Sequence, residues 1–158
     1  MDSAFTWPVR VYYEDTDTGG VVFYANYLKF FERARTEWLR SGGFEQSALA
    51  ERFGIMFVVM RTAVDYHAPA KLDNELKLTV TVETLGRASV EFRQQAWRVG
   101  SGGRTADPVS GTATTPELLT TASIKVACVD QQTLRPRALP DEVLQFIKAY
   151  REGRASAS

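Results

Sequence analysis

Y-Y-E-D-T-D-T-G-G-V-V-F-Y-A-N-Y, residues 12–27, is the stretch around which the rest of the chain can be read. Three acids (Glu14, Asp15 and Asp17) close a strand-like run at residues 9–13. Gly19 and Gly20 then open backbone angles that other residues avoid. Bulky and aromatic residues follow, and a long amphipathic helix begins at residues 24–26. A carboxylate, a bend and a helix N-terminus are therefore sequence neighbours, and each can serve chemistry.

Upstream, residues 6–13 read as a first strand, with Pro8 near its start, where a strand edge tolerates it. Downstream, Tyr27, Leu28, Phe30, Phe31, Ala34, Trp38 and Leu39 recur at three- and four-residue spacing, with Lys29, Arg33, Thr36 and Arg40 opposite. That spacing predicts a helix over 24–40 with one broad buried face, ended by Gly42 and Gly43. Its many rings predict that it lies on a sheet. Residues 45–52 read as a short second helix, stopped by Gly54.

From residue 55 the period changes. Residues 55–66 are rich in Val, Met and Phe until His67-Ala68-Pro69 interrupts them. Leu76, Leu78, Val80 and Val82 then alternate with Lys77, Thr79, Thr81 and Glu83, the pattern of a half-buried strand. Gly86 marks a turn, and Ala88, Val90 and Phe92 continue the alternation toward Val99. Residues 100–117 lack apolar periodicity and are dense in Gly, Ser, Thr and Pro, which predicts a long mobile hairpin loop. Residues 118–129 resume a strand with Ile124, Val126 and Cys128 on one face. Residues 141–150 read as a closing helix and 151–158 as a frayed tail. No helix separates the strands after Gly54, so a parallel α/β sheet is excluded. The expected fold is α+β: a five-stranded antiparallel sheet with one long helix across it, a single domain over residues 1–150.

Nineteen basic and nineteen acidic residues among 158 cancel. No basic stripe suits nonspecific nucleic-acid binding. No apolar run approaches the roughly 20 residues of a membrane span, and the N-terminus lacks the pattern of a signal peptide. The expectation is a cytoplasmic protein with no nucleic-acid partner and no membrane span. With one histidine and one cysteine, neither an internal disulfide nor a Cys/His zinc site can form within the chain. Sequence signatures of a nucleophile elbow, a phosphate loop or a dinucleotide fold are absent. Carboxylates and backbone groups are left as the tools of any catalysis.

Several readings of the turn compete. A calcium loop starting at Asp15 would place Gly19 and Asn26 at its fifth and twelfth positions, where oxygen ligands are needed. A phosphotransfer aspartate, or a metal-dependent phosphohydrolase using Asp15 and Asp17, would follow a buried parallel strand. A carboxylate facing the helix N-terminus across a substrate carbonyl has a direct physical basis, because free N–H groups and the macrodipole stabilise an oxyanion there. Acids that merely cap a solvated turn remain the plain alternative.

Glu32 is a rival carboxylate that helix neighbours would pair with an arginine. Arg35, at the edge of the apolar face, is expected to meet a carboxylate or a subunit interface. His67 reads as structural or substrate-lining, and Asn26 either orients substrate or bonds the helix's first turn. Phe23, Tyr24 and Tyr27 suit acyl contacts, and Cys128 reads as a buried strand residue. Arg87, Arg135 and Arg137 hold exposed turn positions where a phosphate could be met.

The motifs V-R-V-Y-Y-E-D-T-D-x-G-G-V-V-x-x-A-x-Y-L and F-F-E-R-A-R-T-E-x-L-R strongly resemble the hotdog-fold acyl-CoA thioesterases. More narrowly, they look like the bacterial branch associated with the Tol–Pal cell-envelope system. V-D-Y-H-A-P-A-K-L-D, V-A-C-V-D and R-P-R-A-L-P extend the likeness over nearly the whole chain. The resemblance implies hydrolysis of an acyl-CoA thioester, with Asp17 as nucleophile or general base and the Tyr24 backbone N–H as oxyanion donor. Many members of that branch carry His where this chain has Tyr24, which is closer to the 4-hydroxybenzoyl-CoA thioesterase pattern. Phe23, Asn26, Tyr27, His67 and Arg87 are the candidate substrate-binding residues. No metal and no cofactor beyond the CoA of the substrate is implied. A homodimer joined sheet edge to sheet edge, often doubled to a homotetramer, is implied too. A non-catalytic role docking cell-envelope or lipid-synthesis proteins is the alternative.

Overall fold

The computed structural model describes residues 4–100 and 115–153. In chain order they form β1 (Phe5–Arg10), a 3-10 turn (Tyr13–Asp15), α1 (Asn26–Ser41), α2 (Gln46–Phe53), β2 (Ile55–Tyr66), β3 (Glu75–Leu85), β4 (Ser89–Gly100), β5 (Glu117–Asp130) and α3 (Asp141–Arg151). The five strands make one sheet in the order β1-β3-β4-β5-β2, and every neighbouring pair is antiparallel. This is the α+β arrangement that the alternating patterns after Gly54 require. β1 lies beside β3 rather than beside β2, so the chain's first strand closes one edge and β2 forms the other.

The long helix packs against β1 and β3. Tyr27, Phe30, Phe31, Ala34, Trp38 and Leu39 are buried, against strand residues such as Leu76, Leu78, Val80 and Phe92 in one core. Leu28, expected in that face, is instead 41 % exposed. It lies on the same flank as Leu39 but at the other end of the helix. Only the Leu39 end is covered, where Gly42 and Gly43 turn the chain back and the Phe44 N–H reaches the Leu39 carbonyl at 3.2 Å.

Gly42 seats α1 against α3: a Cβ there would stand 2.5 Å from the Phe146 ring. Trp38 packs its ring on Phe92, Phe146 and Tyr150 at centroid distances of 5.1–5.4 Å. The Tyr150 hydroxyl accepts the Phe5 N–H at 2.7 Å and donates to the Val80 carbonyl. The closing helix thereby stitches β1 to β3.

The first strand ends earlier than its apolar pattern suggests. β1 runs out of partner at Arg10, which pairs with Glu75, the first residue of β3. Beyond it the Val11 N–H bonds the Asn74 carbonyl and the Tyr12 N–H bonds the Asp15 carboxylate, so residues 12–15 curl instead of extending. At the opposite edge, β2 pairs with β5 on one side only, with a bulge at Met60. Val59 and Met60 there are exposed. β4 and β5 form a hairpin through Arg98 and Glu117; of the expected 100–117 loop, residues 101–114 lie outside the described residues. Arg151 is still helical, and residues 154–158 of the expected tail also lie outside them. Among the described residues, no helix is long and apolar enough to cross a membrane.

Candidate active site

The chain leaves β1 and folds the three acids into different surroundings. Asp15 is 7 % exposed. Its Oδ2 accepts the Tyr12 N–H at 2.9 Å. Its carbonyl accepts both the Phe23 N–H at 3.1 Å and the Asn26 side-chain amide at 2.8 Å. One residue therefore ties the carboxylate turn to the start of α1. A buried carboxylate is stable only when so engaged, and this explains why Asp15 holds structure while Glu14 and Asp17 stay exposed.

Residues 16–22 form a small hairpin. Thr16 bridges to Val22, the Asp17 N–H bonds the Val21 carbonyl at 2.9 Å, and the Gly20 N–H returns to the Asp17 carbonyl at 3.0 Å. Gly20 sits at φ +82, a left-handed angle that glycine adopts without strain. The Asp17 Oδ1 accepts the Gly19 N–H at 2.8 Å, which orients the carboxylate and leaves its other oxygen open to solvent. The hairpin is pinned to the segment before β3 by Val22 N–H to the Ala70 carbonyl, 2.8 Å, and by a bridge from Val21 to Lys71.

The helix that follows begins without a side-chain cap. Its first internal bonds run from Asn26 N–H to Phe23, Tyr27 N–H to Tyr24 and Leu28 N–H to Ala25. Among the described residues, the Tyr24 and Ala25 N–H groups have no backbone acceptor. The helix start thus keeps the donors that a helix end leaves over, beside the turn that presents Asp17.

A cluster of rings surrounds that start. Phe23 and Tyr24 stand 4.8 Å apart between centroids, Tyr24 and Tyr66 6.0 Å, and Tyr27 and Tyr66 5.7 Å. Tyr24 is 62 % exposed, and its carbonyl accepts the Tyr66 hydroxyl at 3.1 Å. Tyr27 is buried, and its own hydroxyl accepts the Ala70 N–H at 3.1 Å. Burial pushes the Tyr27 phenol above its ordinary range, against the lowering effect of that bond. Burial, then the neighbouring phenols of Tyr27 and Tyr24, push Tyr66 up as well. The Tyr27 and Tyr66 phenols are therefore neutral near neutral pH.

Phe23, Tyr24 and Tyr27 thus share one aromatic cluster with Tyr66, and Asn26 ties the helix start to the turn that carries Asp17. His67 follows Tyr66 at the end of β2, with its Nε2 3.2 Å from the Thr121 hydroxyl and its ring exposed. Asn26 has its side-chain amide N–H committed to the Asp15 carbonyl, in the carboxylate turn and not in the helix's own first turn. Arg87 is not brought to this cluster within one chain. It sits in the turn after β3, whereas the site lies at the strand's first residue, about 30 Å away at ~3.3 Å per residue. Arg137 is paired with Asp130 at 2.7 Å.

Glu32 is exposed and makes no ion pair among the described residues. Arg35 meets the amide oxygen of Gln94 at 2.9 Å instead of a carboxylate. Tyr66 was missed from sequence, since nothing in the apolar run of β2 marks its last ring; its position directly before the His67 turn is the only local signal. Among the described residues, no group of three His, Cys, Asp or Glu side chains is placed to share a metal ion.

Comparison with known proteins adds an independent line. The model of the thioesterase superfamily matches residues 19–103. The acyl-CoA thioesterase YbgC of Haemophilus influenzae is 43 % identical over 143 residues, covering 90 % of this chain and 93 % of that protein. A probable thioesterase from Bartonella henselae superposes with a TM-score of 0.72 at 31 % identity, covering 87 % of this chain and 100 % of the other. A 1,4-dihydroxy-2-naphthoyl-CoA thioesterase from Synechocystis superposes with a TM-score of 0.74 at 20 % identity, covering 92 % and 96 %. That last likeness speaks for the fold.

Proposed function

The chain belongs to the thioesterase superfamily, and we propose that it hydrolyses an acyl-CoA thioester at the junction of the 16–22 hairpin and the start of α1. Activity of this class is supported by the YbgC relative at 43 % identity over nine-tenths of the chain. The assignment of roles is ours. It is supported by one observation: Asp15 binds the turn that carries the exposed Asp17 to the start of a helix whose first N–H groups are uncapped.

In this reading the thioester carbonyl accepts the Tyr24 N–H, where the helix dipole favours growing negative charge. Asp17 either takes a proton from an attacking water or attacks the carbonyl itself. The C–S bond breaks, the thiolate of CoA leaves, and the acyl carbon keeps the oxygen as a carboxylate. A thiolate leaves without strong acid assistance, which fits a site with no acid beside the scissile sulfur. Phe23, Tyr24 and Tyr27 form the acyl side, with Asn26 holding the wall in place and His67 at its rim.

The exposed, bulged β2 edge with Val59 and Met60 supports pairing with a second copy, since an uncovered apolar edge strand invites a partner. In such an antiparallel pair the far end of one sheet approaches the site end of the other. Arg87 enters the reading on that route, as a phosphate contact supplied by the second subunit. A cytoplasmic dimer or tetramer, with cell-envelope or lipid-synthesis proteins as partners, completes the expectation.

Thiol release measured over a panel of acyl-CoA chain lengths, with wild type beside Asp17→Asn and a thermal melt of both, tests the roles. Release that survives Asp17→Asn would remove Asp17 from the mechanism. Repeated turnover in ¹⁸O-water, followed by mass analysis of the Asp17 peptide, separates its two forms, because label in that carboxylate requires an anhydride that water opens at the Asp17 carbonyl.

A further inference from the structure

Between the C-terminal half of α1 and the inner face of β4 and β5 lies a cavity of about 50 Å³. Most of its wall is hydrocarbon, with Phe57, Phe92 and Val126 among the contributors, but Arg35 and Trp38 line it too. Both bring donors without a carboxylate partner among the described residues. The Trp38 indole N–H is buried with no acceptor. None of the ion pairs among the described residues involves Arg35.

The Arg35 guanidinium is held rather than loose. It donates to the Gln94 Oε1 at 2.9 Å. Gln94 is fully buried, and its amide nitrogen is engaged by the Phe31 and Thr79 carbonyls at 3.2 and 3.3 Å. Its oxygen is therefore fixed toward Arg35, and the arginine fork is fixed in turn. Burial draws the guanidinium down to about 10, opposed only by the field of Glu32, one helical turn away. It remains a cation at neutral pH, half-buried and opposite a neutral amide.

A cation and an indole N–H beside an apolar hollow make an amphipathic socket. A water needs about 10–15 Å³ of such volume, so this one takes a group on the order of four heavy atoms. The guanidinium fork matches two carboxylate oxygens, while the apolar wall rejects a hydrated ion and accepts a methyl or ethyl group.

We propose that this cavity binds a small monocarboxylate of acetate or propionate size, its oxygens on Arg35 and Trp38 and its alkyl end against Phe92 and Val126. The placement does not depend on where or whether thioesters are cleaved. If they are, a carboxylate is what that reaction leaves behind, and this second site would respond to the shortest members of that product class.

A melting-temperature titration with sodium acetate, propionate and hexanoate tests the site, with ionic strength held constant by sodium chloride. Acetate and propionate should raise Tm saturably, by about 5–10 °C at 100 times their Kd, and hexanoate should not. The shift should vanish in Arg35→Met and in Val126→Ile, which fills the hollow while keeping the arginine, and should persist in Asp17→Asn. If Arg35→Met fails to fold, Val126→Ile decides. An equal shift from chloride alone, persistence in Val126→Ile, or loss in Asp17→Asn would overturn the assignment. None of these readouts uses thiol release, so the cavity and the proposed hydrolysis can fail separately.

Discussion

The two ends of α1 are built for opposite purposes. Its first turn has no side-chain cap, keeps N–H groups without backbone acceptors and is ringed by exposed aromatics. Its last turns are buried under Phe92, Phe146 and Tyr150, with Gly42 pressed against α3. A helix end that is fully capped and packed is stable but chemically silent. One left open gives up stability and keeps its donors available. Here the same sixteen-residue helix does both, because the packed end anchors what the open end leaves exposed.

That separation can be broken by substitution. Asp17→Asn should lower the rate of thiol release by about 10²–10⁴-fold, the usual contribution of a positioned general base. It should leave the urea midpoint nearly unchanged, because the asparagine oxygen can still accept the Gly19 N–H. Trp38→Ala should do the reverse. Loss of the buried indole should cost about 3–5 kcal/mol in urea unfolding, while the folded fraction keeps its kcat. A large kcat loss in folded Trp38→Ala would show that the two ends are coupled.

Smaller effects sharpen the contrast. Asp15→Ala removes the acceptor for the Tyr12 N–H and should cost about 1–3 kcal/mol. It should also lower kcat, because the same residue orients the Asp17 hairpin; unchanged kcat would mean that the hairpin holds its shape alone. Gly42→Ala drives a methyl into Phe146 and should cost about 1–3 kcal/mol with catalysis intact, measured by melting and thiol release together.

Near neutral pH the least effect belongs to Cys128, whose thiol burial pushes up to about 11. The unfolded chain ionises that thiol first, near its ordinary value of 9. Stability from this group is therefore full below pH 9 and falls between 9 and about 11. Cys128→Ala should flatten that part of the pH–stability curve.

The strands and helices were largely legible because their apolar periods are local. Leu76, Leu78, Val80 and Val82 are all buried as their alternation demanded. What failed was set by distant groups. β1 stops at Arg10 because β3 begins at Glu75, a boundary sixty-odd residues away in the chain. Leu28 and Leu39 occupy one flank, and only tertiary covering separates them. The turn stands out in the sequence as an acid cluster, and the resemblance singles out Asp17, with Glu14 and Asp15 as its setting. The burial of Asp15 is not visible there, because it depends on the Tyr12, Phe23 and Asn26 contacts. The helical spacing points Arg35 to a carboxylate or a subunit interface; its partner within the chain is the Gln94 amide on β4, which no helical spacing could reveal.

The strand order also governs when this molecule can begin to work. The Asp17 hairpin lies near the N-terminus, yet its anchors, the Ala70 carbonyl and Lys71, arrive some fifty residues later. β1 waits longer still, first for β3 and then for the Tyr150 hydroxyl that grips Phe5. Such long-range closure slows folding relative to local contacts. A nascent chain would therefore carry the carboxylate turn before its anchors exist, and the turn can take its final shape only once residues 70–71 have followed it.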